Sequence, residues 1–205
     1  MMNNFILCFH SFDQNTESIY DFSLNKFNNI INILTDFGYT FVSRFEDLSS
    51  NNIYITIDDG SISTIDVCEK ILFPREIYPL LAIPANSKEL GEKQIQDLHN
   101  KCVIASHGFD HIRLIPENES FFEQEINVSK SILENILSSS ITDFVYPTGR
   151  YCDKAINMIK KIYKKAYTVD SGSITSEINP FLIPRYMFTR HNYRKILLTL
   201  KEAIQ

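Results

Sequence analysis

The chain has 205 residues, 44% hydrophobic and 22% charged, with a formal net charge of -5. That size and composition suit one domain with a sizeable core over residues 1–205, and an acidic chain without a long basic run gives nucleic acid no electrostatic footprint. No stretch approaches the roughly 18 apolar residues of a membrane span, and the N-terminal MMNNFILCFHSFD lacks the basic flank of a secretory leader, so the expected location is the cytoplasm.

Short apolar runs alternate with longer amphipathic ones. Phe5 to Phe9 reads as a strand. Leu24 to Phe37 follows as a helix, with Phe27, Ile30, Ile31, Leu34 and Phe37 at helical spacing. Ile53 to Ile57 is the next strand. Ser63 then reads as the cap of a helix with Asp66 as its capping-box partner, carrying Val67, Ile71 and Leu72 and ending before Pro74. Tyr78 to Ile83 is a strand entered through Pro79, and Ile95 and Leu98 mark a short helix. Strands are expected at Cys102–Ala105, Phe144–Tyr146 and Ala166–Val169. Helices are expected at Phe121–Leu137, Asp153–Tyr163 and Asn192–Ala203. Strands separated by helices of this length predict an α/β domain with parallel strands. An open doubly wound sheet and a closed barrel share this local pattern.

In such folds chemistry gathers beyond the carboxyl ends of the strands. The residues there are His10 after FILCF, Asp58 and Asp59 after YITI, His107 after CVIAS, and Pro147, Thr148 and Gly149 after DFVY; Arg185 lies in FLIPRY. The pair His107 and His111 in SHGFDH has i, i+4 spacing, which brings two imidazoles to one side. With one carboxylate, they make a site for a divalent ion with open positions for water. Asp59 is the candidate carboxylate and Asp110 a rival; taken by themselves the histidines also read as ordinary surface residues. Adjacent carboxylates repel, and a cation removes that objection. Gly60 lets the chain turn so that Asp58 and Asp59 reach one pocket, one to hold the ion and one to take a proton; the bland alternative is a helix-entry turn. The four cysteines, Cys8, Cys68, Cys102 and Cys152, form no C-x-x-C pair and read as reduced core residues.

The stretches TIDDG (56–60), SHGFDH (106–111) and FVYPTGRY (144–151), in this order and each after an apolar strand, resemble the polysaccharide deacetylase family, the NodB-homology domain of carbohydrate esterases. The N-terminal CFHSF is similar to the subgroup that acts on poly-N-acetylglucosamine. The resemblance implies a distorted (β/α) barrel, often with seven strands. It implies one divalent metal ion on Asp59, His107 and His111, zinc first, with cobalt, nickel, iron and manganese as alternatives. It makes Asp58 the general base, the Thr148 N–H the oxyanion donor, and Tyr146 and Pro147 the wall of the substrate groove. His10 becomes the general acid, with His191 in FTRHNY as the alternative. The chain departs from the pattern at Ile57, at Ser61 and at Val145, which holds an arginine position of the third motif; Arg185 is the candidate to return that guanidinium to Asp58. The implied activity is hydrolytic removal of an N-acetyl group from a sugar or a nucleotide- or lipid-linked glycan precursor. A hydrolase of another amide or ester, a non-catalytic glycan- or protein-binding relative, and an unrelated phosphohydrolase using the aspartate pair are the competing readings. Oligomeric state is not legible.

Overall fold

A computed structural model describes residues 3–13, 18–44 and 51–204. Eight parallel strands are built: β1 (Phe5–Phe9), β2 (Thr40–Val42), β3 (Asn52–Ile57), β4 (Leu80–Ile83), β5 (Val103–Ser106), β6 (Asp143–Val145), β7 (Lys165–Tyr167) and β8 (Tyr186–Met187). Their order is β7-β6-β5-β4-β3-β1-β8, and β2 lies on the β4 side of β3, pairing its first half while β4 pairs its second. The ring closes through the segment that leads into β8. Ile183 bridges to Tyr167 at the end of β7, and Tyr186 and Met187 pair with Leu7 and Cys8 of β1. Seven strands therefore form a distorted (β/α) barrel, as the family resemblance implied.

Alternation along each strand sorts the residues into two layers. Phe5, Leu7 and Phe9 of β1, with Ile53, Ile55 and Ile57 of β3, face outward into the main core against the helices. Ile6, Tyr54, Leu80, Ala82, Ala105, Val145, Tyr167 and Ile183 fill the barrel. The same period carries Cys8 and His10 after Ile6, and Thr56 and Asp58 after Tyr54, up the inward face. Polar residues at the upper end of an inward face are what place chemistry inside the barrel mouth.

The helices are α1 (Leu24–Asp36), α2 (Ser63–Val67), α3 (Glu92–His99), α4 (Ser129–Leu137), α5 (Asp153–Ile162) and α6 (Tyr193–Glu202). α1 starts where the Ser23 hydroxyl accepts the Lys26 N–H at 3.2 Å. Around α2 the sequence expectation needs correction. The cap position is Ile62, not Ser63. The Ser63 hydroxyl is engaged elsewhere, accepting the Phe12 N–H at 2.9 Å and sharing a hydrogen bond with Ser61, while the Ile62 N–H finds Glu89. The helix also runs on past Pro74: a π turn (Cys68–Leu72) is followed by a 3-10 turn (Phe73–Arg75). Pro74 sits at the start of that last turn, where its missing N–H costs little. The expected helix over Phe121–Leu137 is a π-helical stretch (Glu123–Val128) continued by α4.

Candidate active site

The turn after β3 resolves how two like charges reach one pocket. Asp58 continues the strand, its N–H bonded to the Phe9 carbonyl at 2.9 Å. Asp59 has φ +72°, the left-handed region, and Gly60 follows at φ +64°. That reversal swings the Asp59 side chain to the side already taken by Asp58, where strand alternation would have put it opposite.

Asp58 is buried, and Arg185 holds it with two parallel hydrogen bonds, Nη1 to Oδ1 and Nη2 to Oδ2, both 2.8 Å. Arg185 is itself fully buried; its Nη1 also donates to the Thr56 hydroxyl at 2.9 Å and its Nε to the Thr168 carbonyl at 2.9 Å. The Cys8 thiol lies 3.4 Å from Asp58 Oδ2. Burial alone would raise the Asp58 pKa, but the Arg185 guanidinium overrides it and holds the carboxyl well below the usual carboxylate range. Burial, reinforced by Asp58, pushes the Cys8 thiol up, so it stays protonated.

Asp59 Oδ1 lies 3.4 Å from His107 Nε2 and 3.5 Å from His111 Nε2, and the two Nε2 atoms are 3.1 Å apart. Ligand atoms about 2.0–2.1 Å from a tetrahedral ion stand about 3.3 Å from one another, so this trio has the spacing of three corners of such a site. The tautomer fits too. His107 Nδ1 is 2.8 Å from the Val145 carbonyl, which can only accept; the proton is therefore on Nδ1 and the Nε2 lone pair faces the cluster. Without an ion, burial opposes protonation of His107, yet Asp59 and Asp58 outweigh it and raise its pKa. These are groups arranged to surround positive charge. The residues present thus fit a divalent ion held by one carboxylate and two imidazoles. Asp110 stands apart from this trio, its Oδ1 accepting from Asn86 Nδ2 at 2.7 Å.

His10, Asp58, Asp59, His107, His111 and Thr148 line one cavity of about 200 Å³, together with Tyr20, Tyr146, Gly149, Val169 and Met187. Arg185 lies beneath it. His191 is exposed and does not line it. The His10 Nδ1 is buried without a hydrogen-bond partner, and its ring rests 4.7 Å from that of Tyr20. Burial lowers the His10 pKa against the pull of the two aspartates. Thr148, at φ +56°, sits in the tight turn after β6 and is exposed at the mouth. A wider groove of about 860 Å³ shares His10, Tyr20 and Asp59 with this cavity and extends past Asp13, Asp21, Asp66 and Glu89.

Two participants were not singled out from the sequence. Cys8 was read as core; its signal was its place two residues before His10 on an inward-facing strand. Tyr20 had no signal, since a lone aromatic in a connecting segment marks nothing by itself.

Comparison with solved structures places the fold. IcaB from Ammonifex degensii superposes with a TM-score of 0.88 at 18% identity over 98% of both chains. The Streptococcus pyogenes deacetylase PplD, solved with acetate, gives 0.82 at 19% identity, also over 98% of both chains. The architecture is that of the NodB-like barrels. The family model described as polysaccharide deacetylase matches residues 46–167, and the chain belongs to that family. A curated relative from Bacillus subtilis (strain 168), "Putative polysaccharide deacetylase YxkH", is 23% identical over 143 residues, and the match covers 67% of this chain. The matched region spans 51% of that relative's length.

Proposed function

We propose that the protein is a metal-dependent hydrolase that removes an N-acetyl group from a sugar. The observation that carries this reading is the Asp59, His107 and His111 trio beside a second, unshared carboxylate in one small cavity. A divalent ion held by the trio supplies Lewis-acid polarisation of the acyl carbonyl and a more acidic water. Asp58 takes a proton from the attacking water, and Arg185 keeps it ionised and aimed. The Thr148 N–H faces the developing oxyanion. His10 gives the proton that the amine needs to depart. Asp58→Asn is expected to keep the metal and to lower turnover by about a hundredfold or more.

One observation favours a second assignment of the protons. Arg185 makes Asp58 a weak base, whereas burial keeps His10 neutral with a free, unpartnered nitrogen. His10 can then accept the first proton and return it to the leaving amine. Retained turnover in Asp58→Asn beside a dead His10→Ala would select this version.

The cavity is the size of an acylated amine rather than of a sugar chain, and the adjoining groove gives the chain its path. The groove's described lining has five carboxylates and no lysine or arginine. That favours a neutral N-acetylated glycan over nucleotide- or lipid-linked diphosphates, whose phosphates would meet these carboxylates. The deciding experiment pairs metal content with acetate release from N-acetylglucosamine oligomers, on wild type and His107→Ala. About one divalent ion per chain and acetate release, both lost in the variant, support the proposal. Failure to bind zinc, cobalt or nickel on addition would overturn it.

A further inference from the structure

The loop that carries both candidate imidazole ligands is held from behind by a buried carboxylate. Glu125 lies in the π-helical stretch before α4 and has no exposed surface. Its Oε2 accepts the Phe109 N–H at 3.0 Å and the Ile112 N–H at 3.1 Å; its Oε1 accepts the Asp110 N–H at 2.9 Å. Three backbone donors flanking His111 thus converge on one side chain. The opposite face of the loop is tied to the segment after β4, where the Ala85 and Asn86 N–H groups donate to the Gly108 and Phe109 carbonyls at 2.9 and 3.0 Å.

The loop needs such a clamp. His111 has φ +59°, a conformation that persists in a non-glycine residue only when its surroundings enforce it. Gly108, at φ +80°, makes room for the carboxylate: a Cβ there would stand 2.2 Å from Glu125 Oε2. The helix is adapted to the same end. A π turn carries Glu125, and the carbonyls around it are taken up by side chains, the Glu125 carbonyl by the Ser129 hydroxyl at 2.6 Å and the Ile126 carbonyl by the Tyr163 hydroxyl at 3.0 Å. A buried charge with three N–H donors is a satisfied group, and its geometry is directional: move the carboxylate and the backbone on both sides of His111 loses its fixed points.

We propose that Glu125 is the positioning residue of the metal centre, setting the backbone of His111 so that its Nε2 meets Asp59 Oδ1 and His107 Nε2. This rests on the trio being a metal site. Glu125→Gln keeps the shape, but its amide can accept on only one atom, so at least one of the three N–H groups faces an NH2 instead. The folded variant is expected to bind zinc about 10–100-fold more weakly than wild type, and its cobalt-loaded form to show an altered absorption spectrum. Lys130→Met is the control. It frees Glu134 and the Ile141 carbonyl beside the same helix, with no hydrogen bond to residues 106–112, and is expected to lower the melting temperature while leaving zinc affinity within about twofold. Unchanged zinc affinity and cobalt spectrum in Glu125→Gln would overturn the assignment, as would an equal loss in Lys130→Met. If wild type itself binds neither zinc nor cobalt, the metal reading falls and this inference with it, an outcome separate from the other two. Should Glu125→Gln not fold, Asn86→Ala, which releases Asp110 on the other face, and Glu125→Asp, which keeps the charge but shortens its reach, provide the same comparison. Zinc affinity equal to wild type in Glu125→Asp would then overturn the assignment.

Discussion

The Asp58–Arg185 pair shows how one side chain answers for another. Two charges removed from water are tolerable here because every nitrogen of the guanidinium has a partner and both carboxylate oxygens are engaged. Arg185→Leu leaves a buried carboxylate unpaired and is expected to cost about 3–5 kcal/mol in urea denaturation. The double variant with Asp58→Asn is expected to recover much of that loss; no recovery would mean that Arg185 stabilises the barrel by packing alone. The pair also sets an acid limb. Because the folded-state pKa of Asp58 is depressed, its stabilisation is present in full above the ordinary carboxylate range near pH 4 and disappears as pH falls below it. The stability gap between wild type and Asp58→Asn is therefore expected to hold down to about pH 5 and to narrow as pH falls further, through and below the ordinary carboxylate range. Most of these positions were legible because His10, Asp58, Asp59, His107 and Thr148 each follow an apolar run. Glu125 was not, although an acidic residue between Phe122 and Ile126 on a helix's apolar side was the available sign. Periodicity counts apolar positions and passes over a charge that is satisfied by backbone from far along the chain.

At the scale of elements, the long strands and helices could be read because each offers several turns of one period. β2 and β8 could not. They have three and two residues, too few to alternate, and β8 is defined by its pairing with β1, after Ile183 upstream has bridged to β7. The turn between β6 and α5 is as short and more exacting. Gly149 has φ +66°, and a Cβ would lie 2.2 Å from Val169 Cγ2. Gly149→Ala is expected to destabilise by about 1–3 kcal/mol and to move Val169 and Thr148 in the cavity wall. Loss of acetate release well below the melting temperature would report that movement; full activity with lowered stability would show that the wall had adapted.

For the whole molecule, the candidate trio draws Asp59 from the turn after β3 and His107 and His111 from the loop after β5, so an ion bound there would tie distant parts of the chain together. Ions bound to the folded state alone stabilise by mass action, about 2.7 kcal/mol at a hundred times the dissociation constant. Zinc is expected to raise the melting temperature of wild type, chelation to reverse it, and His107→Ala to respond to neither; equal shifts in both proteins would place the ion elsewhere. The barrel's closure carries a different consequence. Arg185 meets Asp58 across 127 positions of sequence, on the segment that joins β7 to β1. A ribosome making this chain releases the aspartates, both histidines and most of the sheet long before that arginine. Until it emerges, the nascent barrel is an open sheet with an unneutralised carboxylate at its centre. The segment that closes the barrel, made after the aspartates and both candidate imidazole ligands, thus also completes the charge balance of the site, so a chain arrested before residue 183 is expected to remain dependent on chaperones and unable to hydrolyse anything.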